Sequence, residues 1–226
     1  MNDSRSAAAS ASPPLPSPAP DVCVAVLIRH GATDASAAHP QILQGSATDS
    51  PLSAVGERQA EQTAQFLTSR RIDALFCSPM KRARQTAAPI AAAHGIELEI
   101  VPEIIEADLG RWELRNWDEI ARDEPREYQQ FIAGPDIHAY GGGESIAGVR
   151  DRALPAIERV MAASLGKSIA IVTHRIVIRA CVAHLLGVPL AESRRVSPST
   201  CGVSLLRYSG GKLELVGFNS VFHLGQ

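Results

Sequence analysis

One stretch constrains the fold more than any other. It is Val22-Cys-Val-Ala-Val-Leu-Ile28, an apolar run that stops abruptly at Arg29-His30-Gly31-Ala32-Thr33. A valine-rich run of this kind, with no polar alternation, reads as a strand buried on both faces, as in a parallel sheet. Ligands of open α/β sheets bind beyond the carboxyl ends of the strands, and Arg29-His30-Gly31 falls at such an end. Gly31 lets the backbone turn tightly and approach a ligand. These residues predict a phosphate site with His30 as its reactive group.

The pattern recurs along the chain. Thr33 to Pro51 is polar and irregular, and loops this long are usually functional. Ser53 is a good N-cap for a helix that would bury Val55, Ala60, Ala64 and Leu67 and end near Arg70-Arg71. Asp73–Cys77 reads as a second strand, stopping at Ser78-Pro79, and a helix from about Met80 to His94 is ended by Gly95. Glu97–Val101 alternates enough for a third strand. Trp112 to Ala133 is polar and helix-leaning without a clear core face. Gly141-Gly142-Gly143-Glu144-Ser145 turns into a helix running to about Ser164. Ser168–Val172 is a fourth strand, ending at Thr173-His174, and a helix to Leu186 follows. Val203–Tyr208 and Lys212–Gly217 form a hairpin about a Ser-Gly-Gly turn. This alternation predicts an α/β fold, a three-layer α/β/α sandwich with a mostly parallel central sheet flanked by helices.

Composition limits the partners. The chain has 226 residues with a formal net charge of -2, which gives no electrostatic case for nucleic acid or a membrane surface. Its length suits one domain over residues 21–226. Residues 1–20, MNDSRSAAASASPPLPSPAP, lack the basic start and apolar core of a signal peptide and are expected to be a disordered Ala/Ser/Pro-rich tail. Cys23, Cys77, Cys181 and Cys201 are far apart, without zinc spacing or a disulfide framework, so a cytoplasmic location is expected.

Three apolar strands end in polar groups: Arg29-His30, Ser78-Pro79-Met80-Lys81-Arg82 and Thr173-His174-Arg175. If neighbouring in the sheet, they bring two histidines and at least two arginines into one cleft. Such a cluster is costly unless an anion fills it, and arginine forks match phosphate best.

These residues resemble the histidine phosphatase superfamily, also called the phosphoglycerate mutase-like family. Arg29-His30-Gly31-Ala32-Thr33 resembles its signature, and Asp49-Ser-Pro-Leu-Ser-Ala-Val-Gly-Glu-Arg-Gln-Ala60 the stretch before its first helix. Ser78-Pro-Met-Lys-Arg82-Ala-Arg-Gln-Thr86 resembles its second arginine motif, and Ile105-Glu106-Ala-Asp-Leu-Gly-Arg-Trp-Glu113 its acid-bearing loop. Gly143-Glu144-Ser145 and Val172-Thr-His174 complete the set in the family's order. The resemblance implies a phosphomonoester hydrolase in which His30 forms a phosphohistidine. Arg29, Arg82 and His174 would hold the phosphoryl oxygens, and Glu106 would act as proton donor and acceptor. Glu103, Asp108 and Glu113 compete with Glu106 for that role. Thr33, Ser36, Gln44, Gly45 and Arg175 are further candidates for substrate or phosphate contact, and Glu144-Ser145 are weighed with them. No metal or other cofactor is implied. The expected partner is a small phosphorylated metabolite, with a homodimer as the assembly left open.

Three positions depart from the family's pattern. Arg175 stands where a glycine usually follows the second histidine; it adds a cation near the substrate and favours a more anionic ligand. The family's asparagine beyond Arg-His-Gly falls near Ser36, in a longer loop. Leu114 stands where glycine commonly follows Trp-Glu. A phosphoglycerate mutase uses the same cleft, and a non-catalytic phosphate-binding protein could share the fold. The thirty residues between Trp112 and Gly143 make a short lid, which favours water entry and hydrolysis over the mutase.

Overall fold

The apolar run from Val22 becomes β1 (Val22–Arg29), with Cys23, Ala25, Leu27 and Ile28 fully buried, as its composition requires. A computed structural model describes residues 17–225. The tail expected over residues 1–20 lies outside the described residues up to residue 16. After β1 come α1 (Asp34–Ala37), α2 (Ala54–Leu67), β2 (Ala74–Cys77), α3 (Lys81–His94) and β3 (Leu98–Ile100). Then follow α4 (Trp117–Asp123), α5 (Pro125–Ala133), α6 (Ile146–Ala162), β4 (Ser168–Thr173), α7 (Arg175–Leu185), β5 (Val203–Ser209) and β6 (Lys212–Ser220). The expected helix stops are present: Ser53 caps α2 by accepting from the Gly56 N–H, and Gly95 takes the left-handed conformation at φ 63° after α3.

The sheet order is β3-β2-β4-β1-β5-β6. The first four strands of that order run parallel, and the β5–β6 hairpin adds an antiparallel edge beside β1. Side chains of a strand alternate between faces, and β1 divides its apolar residues accordingly. Cys23, Ala25 and Leu27 join the core with α6 and α7, including Ala153, Ile157, Val177 and Cys181. Val26 and Ile28 join a second core with Ala64 and Leu67 of α2 and Ala83, Ala87 and Ile90 of α3. Two helical layers therefore enclose the sheet, giving the expected three-layer sandwich. Among the described residues no helix is long and apolar enough to cross a membrane.

Two local expectations are corrected. Val55 is 47% exposed rather than buried. The buried stripe of α2 runs through Gly56, Gln59, Ala60, Thr63, Ala64 and Leu67, and Val55 lies off it. Trp112 to Ala133 does have a core face: Trp112, Ile120 and Phe131 are fully buried, with Trp112 edge-on to Phe131 at 5.4 Å. The break at Glu124-Pro125 splits this stretch into two short helices, so no single helical period runs through it. In addition, a four-residue helix, α1, interrupts the loop from Thr33, closed by a capping box between Thr33 and Ser36.

Candidate active site

Strand order converts three separate motifs into one site. β4 lies between β1 and β2, with Arg29 opposite Thr173 and Cys77 opposite Val172. The residues after each strand, His30, Ser78 and His174, are thereby brought to one edge of the sheet. The His30 and His174 rings are 5.2 Å apart, and both are buried.

His30 is held in one tautomer. Its Nδ1 lies 2.7 Å from the Gly31 carbonyl oxygen, which can only accept, so Nδ1 carries the hydrogen and Nε2 keeps its lone pair. Burial, reinforced by the Arg29 and Arg82 charges, holds its pKa well below 6.5. The ring is a neutral imidazole at physiological pH. Burial and Arg82, then His30 and Arg29, lower His174 in the same way. His174 Nε2 hydrogen-bonds with Ser78 Oγ at 2.6 Å, and its buried Nδ1 has no partner.

The arginines are oriented by neutral acceptors. Arg29 Nη1 donates to the Pro198 carbonyl at 2.9 Å, and burial, then Arg175, pushes its pKa down to about 9. Arg82 is fully buried and donates to the Thr48 and Gly45 carbonyls at 2.9 and 3.0 Å. Neither makes an ion pair among the described residues.

Four acidic residues compete for the acid role, and geometry separates them. Glu103 pairs with Arg159 at 2.7 Å. Asp108 accepts from the Gly110 N–H, and Glu113 from the N–H groups of Gly45 and Thr48. Glu106 alone of the four lines the pocket with His30. Its Oε1 accepts from the Ala107 N–H at 3.0 Å and its Oε2 from the Ile176 N–H at 3.2 Å, which fix the carboxyl at the start of α7.

The pocket has a volume of about 220 Å³. Of the predicted residues, Arg29, His30, Ser36, Gln44, Glu106 and Arg175 line it. Arg82, His174, Thr33 and Gly45 are buried and are not among the residues that line it. Thr33 donates to Gln44 Oε1 at 2.9 Å, and Gly45 is the carbonyl that orients Arg82. Glu144 accepts from Arg152 and from the Asp108 N–H, and Ser145 caps α6; both are structural. Trp112 is core, whereas Trp117 lines the pocket. Leu114 adopts φ 61°, a left-handed conformation that a glycine would take without strain.

Sequence reasoning missed Gln41, Tyr140, Arg179 and Arg194, which also line the pocket. Arg179 was legible as the residue four after Arg175 on one helix face. Arg194 sits in a short 3-10 helix (Leu190–Arg195) and Tyr140 in an irregular segment, and neither carried a periodic signal. Among the described residues no group of three or more His, Cys, Asp or Glu side chains could hold a metal ion.

The chain is 29% identical over 178 residues to phosphoserine phosphatase 1 of Hydrogenobacter thermophilus, covering 79% of this chain and 84% of the relative. It is 32% identical over 182 residues to the probable phosphoglycerate mutase GpmB of Yersinia enterocolitica, covering 80% and 83%. The crystal structure of phosphoserine phosphatase from Entamoeba histolytica in complex with 3-phosphoglyceric acid superposes with a TM-score of 0.79 at 26% identity, over 89% of this chain and 99% of that one. Residues 25–221 match the family model described as "Histidine phosphatase superfamily (branch 1)", and the chain belongs to that superfamily.

Proposed function

We propose that the protein is a metal-independent phosphomonoester hydrolase that acts on small phosphorylated metabolites through a phosphohistidine on His30. The observation that carries this reading is the Gly31 carbonyl on His30 Nδ1, which leaves Nε2 as an unprotonated nucleophile beside Glu106.

In the first step His30 Nε2 bonds to phosphorus as the bond from phosphorus to the leaving oxygen breaks. Glu106, as the acid, gives its proton to that oxygen. Arg29, Arg82 and His174 hold the phosphoryl oxygens and offset the charge of the transition state. In the second step a water attacks the phosphohistidine. Glu106 takes the water's proton, the bond from phosphorus to Nε2 breaks, and phosphate leaves. A 220 Å³ cavity lies below the range of about 300–1,000 Å³ of drug-sized ligand pockets, which supports a substrate of few atoms. Four unpaired, buried thiols support a cytoplasmic enzyme.

The second reading is a phosphoglycerate mutase, favoured by the 32% identical relative. Against it, the segment between Trp112 and Gly143 is spent on α4, α5 and the aromatic packing around Trp112 rather than on a longer lid.

Phosphate release from a panel of phosphomonoesters, with and without EDTA, tests the assignment beside an isomerisation assay on 3-phosphoglycerate primed with 2,3-bisphosphoglycerate. EDTA-resistant release that falls by at least about 10³-fold in His30→Ala is the expected result. Isomerisation faster than release would replace the hydrolase with the mutase. Neither activity, with thermal stabilisation by inorganic phosphate, would leave a binding protein.

A further inference from the structure

With Glu106, the pocket carries three arginines that the phosphoryl chemistry does not use: Arg175, Arg179 and Arg194. Arg175 opens α7 and Arg179 stands four residues on, so their guanidinium groups share one face at the helix's N-terminal end. Like charges at that spacing repel, and the positive end of the helix dipole disfavours both. Arg179 is only 8% exposed, and Arg175 Nε is buried without a partner. Arg194, at the mouth, lies over the Trp117 ring at 4.9 Å.

Their partners are neutral. Arg175 donates to Gln41 Oε1 at 2.7 Å and Arg179 to the Val196 carbonyl at 3.2 Å. None of the three makes an ion pair among the described residues. Burial lowers the pKa of Arg175, and the Arg179 charge lowers it further. The Tyr140 phenol, raised chiefly by its burial, is an added hydrogen-bond donor on the same wall.

We infer that Arg175, Arg179 and Arg194 form a second anion subsite that receives a carboxylate on the leaving group of the substrate. Charge selects the carboxylate. Arg29 and Arg82 face the phosphoryl group in the proposed chemistry, and Glu106 carries the proton it gives to the leaving oxygen. The charges of Arg175, Arg179 and Arg194 are left for an anionic group on the leaving side, and a carboxylate is the smallest such group a metabolite carries. Position agrees, because Glu106, which gives its proton to the leaving oxygen, is held by the N–H of Ile176, the residue next to Arg175, and shares the cavity wall with all three arginines. The preferred substrate is therefore a small phosphorylated hydroxy or amino acid. This assignment rests on the hydrolase reading for its orientation.

The test compares 3-phosphoglycerate, glycerol 3-phosphate and 2,3-bisphosphoglycerate as substrates of the wild type, Arg175→Gln, Arg194→Gln, the double variant and Arg175→Lys. The first two compounds differ at one end, a carboxylate against a hydroxymethyl group. The wild type is expected to favour 3-phosphoglycerate over glycerol 3-phosphate by about 10- to 100-fold in kcat/KM, mostly through KM. The double variant is expected to bring that ratio within about threefold of unity, with Arg175→Lys between. General damage to the fold lowers both rates and keeps the ratio. A wild-type ratio near one, or a ratio unchanged in the double variant, would overturn the subsite. A ratio near one between 3-phosphoglycerate and glycerol 3-phosphate, with 2,3-bisphosphoglycerate favoured tenfold over both, would overturn the carboxylate in favour of a second phosphate. Calorimetric binding of 3-phosphoglycerate to His30→Ala, with and without the double substitution, separates the two readings. Binding lost with the arginines, where the wild type hydrolyses none of the compounds, would keep the subsite and sink the hydrolase.

Discussion

The rings of His30 and His174 lie 5.2 Å apart at 56°, both buried and both with pKa values pushed well below 6.5. Burial is the main cause for each. Arg29 and Arg82 add to it at His30, and Arg82, His30 and Arg29 at His174. A protonated pair at this distance would face its own repulsion and that of two unpaired arginines.

Stability should therefore fall on mild acidification. The unfolded chain takes up a proton on each histidine near pH 6.5, and the native protein does not. The depressed pKa values contribute stability that is fully present above that pH. It is lost as pH drops from 6.5 towards the folded-state values, at up to about 1.4 kcal/mol per pH unit per histidine. His94 and His223, also lowered by burial, act in the same direction. Urea denaturation between pH 7.5 and 5.0 measures this. A free energy that stays level or rises on acidification would contradict neutral histidines in the site.

Ser78 should matter more to rate than to affinity. Its Oγ lies 2.6 Å from His174 Nε2 and is the one side-chain partner that orients that ring. Ser78→Ala leaves a buried ring nitrogen without its partner, which costs about 1–2 kcal/mol of stability. The expected kinetic result is a kcat about tenfold lower with KM within about threefold, since the proposed mechanism sets the ring's task in the transition state. Steady-state kinetics with denaturation on the same variant checks both, and a change confined to KM would remove His174 from the transition state.

Arg82 holds two parts of the site at once. Its guanidinium donates to the carbonyls of Gly45 and Thr48, joining the loop before α2 to the start of α3. Arg82→Lys keeps the charge but cannot span both acceptors, so it should lose about 2–4 kcal/mol and at least about tenfold in kcat/KM. Chemical denaturation and kinetics of Arg82→Lys test this. Full stability with reduced activity would show that the carbonyl contacts contribute nothing to the fold.

The sequence made the sheet and the polar residues that meet in the candidate site legible because both depend on short motifs at strand ends. Val22–Ile28 declared a doubly buried strand, and Arg29-His30, Ser78 and Thr173-His174 each followed such a run. The resemblance named Glu106 for the acid role, and tertiary structure adds why its three competitors are engaged elsewhere, by Arg159, by the Gly110 N–H and by the Gly45 and Thr48 N–H groups. The far wall was hidden for the same reason. Arg194 reaches the pocket from a short 3-10 helix by lying over Trp117, a contact with no local signature. The core face of Trp112–Ala133 was missed because Glu124-Pro125 interrupts its period.

Gly56 offers a test in which local propensity and packing predict opposite signs. It lies inside α2, where alanine normally stabilises by about 0.8–1 kcal/mol over glycine. Here a Cβ would collide with the Ala32 carbonyl oxygen, and a Cβ on Gly31 would meet the Gly56 carbonyl oxygen at 2.6 Å. The two backbones interlock immediately after His30, and no side chain stands between them to yield. The Ala32 carbonyl is also fixed, accepting from the Ser53 N–H at 2.9 Å and from Ser53 Oγ at 3.1 Å. To relieve the clash the chain after His30 must shift, and the Gly31 carbonyl that sets the His30 tautomer shifts with it. Gly56→Ala is therefore expected to destabilise by about 1–3 kcal/mol, as overpacking does, and to lower kcat by at least about tenfold. Ala54→Gly, two residues earlier at the exposed first position of α2, should cost no more than the interior propensity difference of about 1 kcal/mol and leave the rate unchanged. Denaturation and kinetics on the two variants decide it, and a stabilised, fully active Gly56→Ala would show that the interlock does not hold the nucleophile.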